Sequence, residues 1–121
     1  MANTRVTTVT TTLKDADGAQ LHQASLVTSS VSYNDGGYSH MTLAASATGV
    51  ALPFPGVASA AYLRIETSSN PIDIKLNGSG PEITIRANDV FSLGMGDKKL
   101  ESVSMDNDNI TDAAIKFIVH D

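Results

Sequence analysis

Apolar and polar residues alternate one by one along much of this chain, and no segment repeats its apolar residues at helical spacing. The clearest stretch is Ile72-Asp73-Ile74-Lys75-Leu76. It places three apolar side chains on one face and two charges on the other, as a half-buried strand requires. Asn77-Gly78 then supplies two residues that tolerate positive φ in a tight turn. Tyr62-Leu63-Arg64-Ile65-Glu66-Thr67 and Glu82-Ile83-Thr84-Ile85-Arg86 repeat the alternation on either side. Val90–Leu93, Leu100–Met105 and Ile115–Val119 continue it, the last with Ile115, Phe117 and Val119 on one face.

The first half is thinner in large apolar residues. Thr4 to Leu13 alternates Thr with Val and Leu, which predicts a strand ended by the turn signal Asp17-Gly18, or else an arm ordered by a partner. Leu21 to Ser32 predicts another strand. Tyr33-Asn34-Asp35-Gly36-Gly37-Tyr38 reads as a hairpin turn, with Met41 to Ala45 returning. Leu52-Pro53-Phe54-Pro55-Gly56 cannot occupy a central strand, because each proline lacks an amide donor and restricts the residue before it. It reads as the connection between two halves of one domain, with Ala58 to Ala61 long enough for a single helical turn. Short strands at about 8–12 residue spacing predict an antiparallel sandwich or barrel. A parallel sheet would need longer crossovers.

Composition sharpens this reading. A chain of 121 residues suits one domain; 41% of it is apolar, but 14 of those residues are Ala, while Thr and Ser together number 25. That balance fits strands with one solvated face. A net charge of −5 argues against nucleic acid or an anionic membrane as partner, because both require clustered Lys and Arg. With no cysteine there is no disulfide, thiolate or Cys-based zinc site. No apolar run approaches a membrane span, and Met1–Arg5 lacks the apolar core of a signal peptide, so synthesis as a soluble chain in the cytoplasm is the expectation.

Candidate chemistry is sparse. Asp106-Asn107-Asp108-Asn109-Ile110-Thr111-Asp112 resembles the start of a calcium loop. Position six, however, is Thr111 rather than Gly, and position twelve is Phe117 rather than Glu. A solvated turn is expected instead. His22, His40 and His120 have no metal-ligand spacing, no Gly-x-Ser-x-Gly elbow is present, and neither Gly78-Ser79-Gly80 nor Gly94-Met95-Gly96 opens a helix that could bind phosphate. The expectation is no enzyme, no cofactor and no metal. The stiff loop Leu52-Pro53-Phe54-Pro55 has two readings: it inserts into a neighbour at low entropic cost, or it plugs one end of its own sandwich.

Residues 62–119 resemble small all-β virion proteins of tailed bacteriophages. The resemblance is carried by Tyr62–Thr67, Pro71–Gly78, Ile83–Phe91 and Ala114–Val119: a strand ending in Thr, a strand ending in Asn-Gly, an Ile-x-Ile strand, an Asp-led turn and a closing strand. It implies a β-sandwich or jelly-roll; with the pattern above, the expectation is an antiparallel sandwich of about eight short strands, a single domain over 1–121 with 1–13 as an N-terminal arm or edge strand. It also implies a non-enzymatic virion subunit, first of all a capsid decoration (cement) protein. Such a subunit would bind the major capsid protein or other virion proteins as a homo-oligomer, a trimer by analogy. A tail or baseplate component is the alternative, as is a receptor- or carbohydrate-binding module using Tyr33, Tyr38 or Tyr62. The expected partner-binding residues are Thr4, Val6, Val9 and Leu13 in the arm, with Leu52, Pro53, Phe54 and Pro55 in the loop.

Overall fold

The computed structural model describes residues 3–8, 10–25, 29–33, 35–54, 56–78, 80–94 and 100–121. Among them there are twelve strands and no helix. The chain falls into two compact units, residues 1–34 and 35–121.

The first unit holds β1 (Asn3–Thr7), β2 (Thr10–Lys14), β3 (Gln20–Ser25) and β4 (Ser29–Tyr33). β1 pairs with β4 and β2 with β3, both antiparallel, so the unit is one long hairpin, a two-stranded ribbon of two ladders. Its turn is built as the sequence predicts. Asp15 Oδ1 accepts the Asp17 amide at 3.0 Å and the Ala19 amide at 2.8 Å. Gly18 takes a φ of 86°, which a side chain would resist.

The second unit holds β5 (Gly36–Leu43), β6 (Val50–Ala51), β7 (Tyr62–Thr67), β8 (Ile72–Leu76), β9 (Ile83–Ile85), β10 (Val90–Gly94), β11 (Val103–Asp106) and β12 (Ala113–His120). Pairing is nested: β5 with β12, β6 with β11, β7 with β10 and β8 with β9. Two further pairings, β7 with β12 and β8 with β11, roll this long hairpin into two four-stranded sheets. Their orders are β10-β7-β12-β5 and β6-β11-β8-β9. That is the jelly-roll arrangement, antiparallel throughout.

The alternation read from the sequence sets the core. Leu63 and Ile65 from β7 and Ile115, Phe117 and Val119 from β12 meet Ile72 and Ile74 from β8 and Val103 and Met105 from β11 in one apolar cluster. Arg64, Glu66 and Lys116 occupy the other face of the first sheet, since successive strand side chains point to opposite faces. Asn77 and Gly78 take φ values of 55° and 69° at the turn after β8.

Three expectations are corrected. The sandwich occupies residues 35–121 rather than all of 1–121, and it alone accounts for the eight expected strands. The hairpin across Tyr33–Tyr38 does not form: β4 pairs with β1, and β5 pairs with β12. The Asn-Asp-Gly-Gly signal marks a joint between units, because the Asp15–Ala19 turn has already given β3 and β4 their partners. For the same reason the boundary lies at residues 34–35, while the proline loop merely links β6 to β7.

Candidate functional site

The expected arm, residues 1–13, supplies β1 and, but for Lys14, β2 of the ribbon. No described side chain of residues 3–33 is buried. Val6 is 63% and Leu13 57% exposed, and Val31 is exposed as well. Thr4 is exposed, and Val9 lies outside the described residues. In β1 the register sets Arg5 beside Val31 and Val6 beside Ser30, so Val6 and Val31 point to opposite faces. A two-stranded ribbon is at best marginally stable in water. Sequence reasoning placed the expected contact on Thr4–Leu13 and on the 52–55 loop, with no part for a second ribbon strand. The signal for the second was the Asp17-Gly18 turn, which brings β3 and β4 alongside.

The proline loop is placed differently. Leu52 is 5% exposed and belongs to the core, and its amide donates to the Val103 carbonyl at 2.9 Å. Phe54 is half-buried and packs against the same cluster. Pro53 is exposed, and Pro55 lies outside the described residues. Side chains committed to their own core have little area left for a partner; this is the geometry of a plug.

The run 106–112 is a structural device. Asn107 is fully buried. Its Nδ2 donates to the carbonyls of Leu43 at 3.1 Å, Ala44 at 3.1 Å and Thr111 at 3.0 Å. Its Oδ1 accepts from the Asn109 amide at 3.1 Å and Asn109 Nδ2 at 2.8 Å. Asn109 Nδ2 also donates to the Pro71 carbonyl at 2.9 Å, and Asn70 Nδ2 to the Asp112 carbonyl at 3.0 Å. Asp106 and Asp112 accept the amides of Gly49 and Ala45. Three loops, 44–49, 68–71 and 107–112, are thus tied together by amide side chains at one end of the sandwich. The carboxylates hold backbone, and no cluster of three or more metal-binding side chains occurs among the described residues. The expected solvated turn is exposed at Asp108, Ile110, Thr111 and Asp112, half-buried at Asp106 and Asn109, and closed to water at Asn107.

A surface pocket of about 320 Å³ is lined by Glu66, Thr67, Ser68, Asn88, Asp89, Val90, Ala114 and Lys116. Glu66 is paired with Arg64 at 3.2 Å, and Ser68, Asn88, Asp89 and Val90 are exposed. The pocket lining mixes polar and apolar groups. The three tyrosines do not form one platform. Tyr62 is buried, stacks on His120 at 5.1 Å between ring centroids, and its hydroxyl lies 3.1 Å from Ser92 Oγ. Tyr38 is exposed on β5, and Tyr33 belongs to the ribbon.

No family model and no curated protein matches the chain. Among solved structures, the cupin domain of Schizosaccharomyces pombe Cnp3 aligns over 95% of this chain and 83% of that one, with a TM-score of 0.47 and 11% identity. Likeness at that level assigns neither ligand nor activity here.

Proposed function

We propose that this chain is a non-enzymatic structural subunit of a tailed-phage virion, in first place a capsid decoration (cement) protein. It is made in the host cytoplasm and incorporated into the particle, where it binds the major capsid protein or other virion proteins as a homo-oligomer. The observation that carries this reading is the ribbon of residues 3–33, which offers exposed Val6, Leu13 and Val31 but has no buried described side chain. A segment of that kind gains its stability by being held, and high copy number multiplies modest contacts. The resemblance of residues 62–119 to phage virion proteins supplies the setting. Attachment to a tail or baseplate would use the same ribbon. A sugar-binding module is disfavoured by the burial of Tyr62, which removes one of three rings able to stack on a sugar.

The test is co-sedimentation of the purified chain with purified phage heads, and separately with tails. Binding to heads in a fixed ratio supports decoration. Saturable binding to tails alone moves the subunit to the tail, and binding to neither particle overturns the reading.

A further inference from the structure

We infer that the outer edge of β5 is a second contact site, which takes one extended segment of the virion protein as an added strand. This deepens the attachment reading above and rests on it.

The register sets which backbone groups are open. The Asp121 amide donates to the Asp35 carbonyl at 3.0 Å, and this fixes the phase of the β5–β12 ladder. Gly37, Ser39, Met41 and Leu43 turn their amides and carbonyls to β12, while Tyr38, His40 and Thr42 turn theirs away. β5 ends its sheet, and among the described residues nothing hydrogen-bonds those outward groups. Its eight residues extend about 27 Å.

Native sheets close such edges with a short strand, a proline, a charge or a bulge. The other three edges of the sandwich do so. β6 has two residues, with Pro53 just beyond. β9 has three, between Pro81-Glu82 and Arg86. In β10 the Thr67 amide bonds the Asp89 carbonyl, so Val90 points outward, and its amide is taken by Asp89 Oδ1 at 2.8 Å. β5 has none of these devices. Its pairing runs without a register shift, and no Asp, Glu, Lys, Arg or Pro stands between Asp35 and Pro53.

The bordering side chains give the chemistry of the occupant. Met41 is half-buried against the core, so an apolar side chain on the added strand completes its burial. On the other face Tyr38 is exposed, and His40 stands opposite the exposed Lys116. An acidic residue beside His40 is therefore favoured over a basic one. The segment is extended and alternating, apolar toward the core and polar or acidic on the outside; main-chain bonds supply its affinity and the alternate side chains its specificity. A second copy of this chain is a poorer occupant. Residues 1–34 carry Arg5 and Lys14 against Asp15 and Asp17, so the whole −5 sits in residues 35–121, and pairing two sandwiches edge to edge brings like charge together.

The test compares full-length variants in co-sedimentation with purified phage heads. His40→Pro removes an outward amide, which an edge strand tolerates, so the sandwich should keep its Tm while head binding weakens by about tenfold or more. Thr42→Lys guards the edge without touching the backbone and should act alike, which covers the case in which the proline unfolds the strand. Val90→Lys, on the β10 edge, should leave binding unchanged. Residue-resolved amide exchange of the free chain needs no particle: Tyr38, His40 and Thr42 should exchange about tenfold or more faster than Ser39 and Met41. Slow exchange at all five would show that the edge is already filled and overturn the inference. Protection of the three outward amides that grows with protein concentration would put a second copy there and overturn it too. Head binding that survives both His40→Pro and Thr42→Lys overturns this inference alone. Binding to tails instead of heads, lost in the same variants, keeps the inference and overturns decoration. Binding to neither particle overturns both.

Discussion

Replacing Asn107 by Ala tests the idea that one buried amide ties the loop end of the sandwich together. The two N–H groups of the side chain are shared among the carbonyls of Leu43, Ala44 and Thr111, and its oxygen accepts two bonds from Asn109. Removal strands groups that the fold has enclosed, at about 1 kcal/mol or more for each one left unpaired. Asn109 and the outer carbonyls lie near the surface, where water can replace part of what is lost. Three effective losses give about 3 kcal/mol. For a domain the size of the second unit, that lowers Tm by roughly 12–24 °C. Thermal unfolding followed by circular dichroism reads this directly, and amide exchange should show faster opening at residues 44–49 and 107–112. A shift of less than about 3 °C would mean that water substitutes for the amide and that the network does not hold the loops.

Other consequences follow from the same geometry. Asn107→Asp places a carboxylate against three carbonyl oxygens, which raises its folded pKa above the ordinary value of about 3.9. The native state then binds the proton more tightly, so the variant is least destabilised below about pH 4 and loses stability as pH rises through the folded value; a pH-independent loss in urea titrations would contradict this. Gly36 has a φ of 137°, and a Cβ there would strike the Val119 carbonyl oxygen and His120. Gly36→Ala should therefore cost about 2 kcal/mol or more, read as a lower urea midpoint, and an unchanged midpoint would show that β5 can shift on β12. Leu52→Ala should cost about 2–5 kcal/mol as a core truncation, while exposed Pro53→Ala should stay within about 1 kcal/mol; equal effects would place Leu52 outside the core.

Much of the sandwich was legible because its strands obey a period of two. Ile72, Ile74, Ile115, Phe117 and Val119 went to the core, while Asp73 and Lys75 stayed half-exposed, each as its position in the alternation demands. Pairing was less legible. β7 and β8 are consecutive, yet they lie in different sheets, and β5 finds β12 some seventy residues away; alternation fixes a strand's faces but not its neighbour. The run Asp106–Asp112 misled for a related reason. Asp and Asn favour turns because their side chains bond nearby backbone, and nothing in their order tells which of them faces inward. Asn107 is buried because its two N–H groups are shared among three carbonyls, a fact that exists only after the loops have met. In the ribbon the alternation was visible, but a polar strand whose Val6 and Leu13 stay exposed reads alike as an arm or an edge.

The claim that the ribbon is an assembly element is tested most directly by amide hydrogen exchange of the full-length chain at decreasing concentration, and again when bound to heads. Residues 3–33 should lose protection as the protein is diluted into monomer and regain it on assembly, while β7, β8, β11 and β12 stay protected throughout. Ribbon amides as slow as those of the core strands in a dilute monomer would contradict the claim, because the ribbon would then need no partner to hold it.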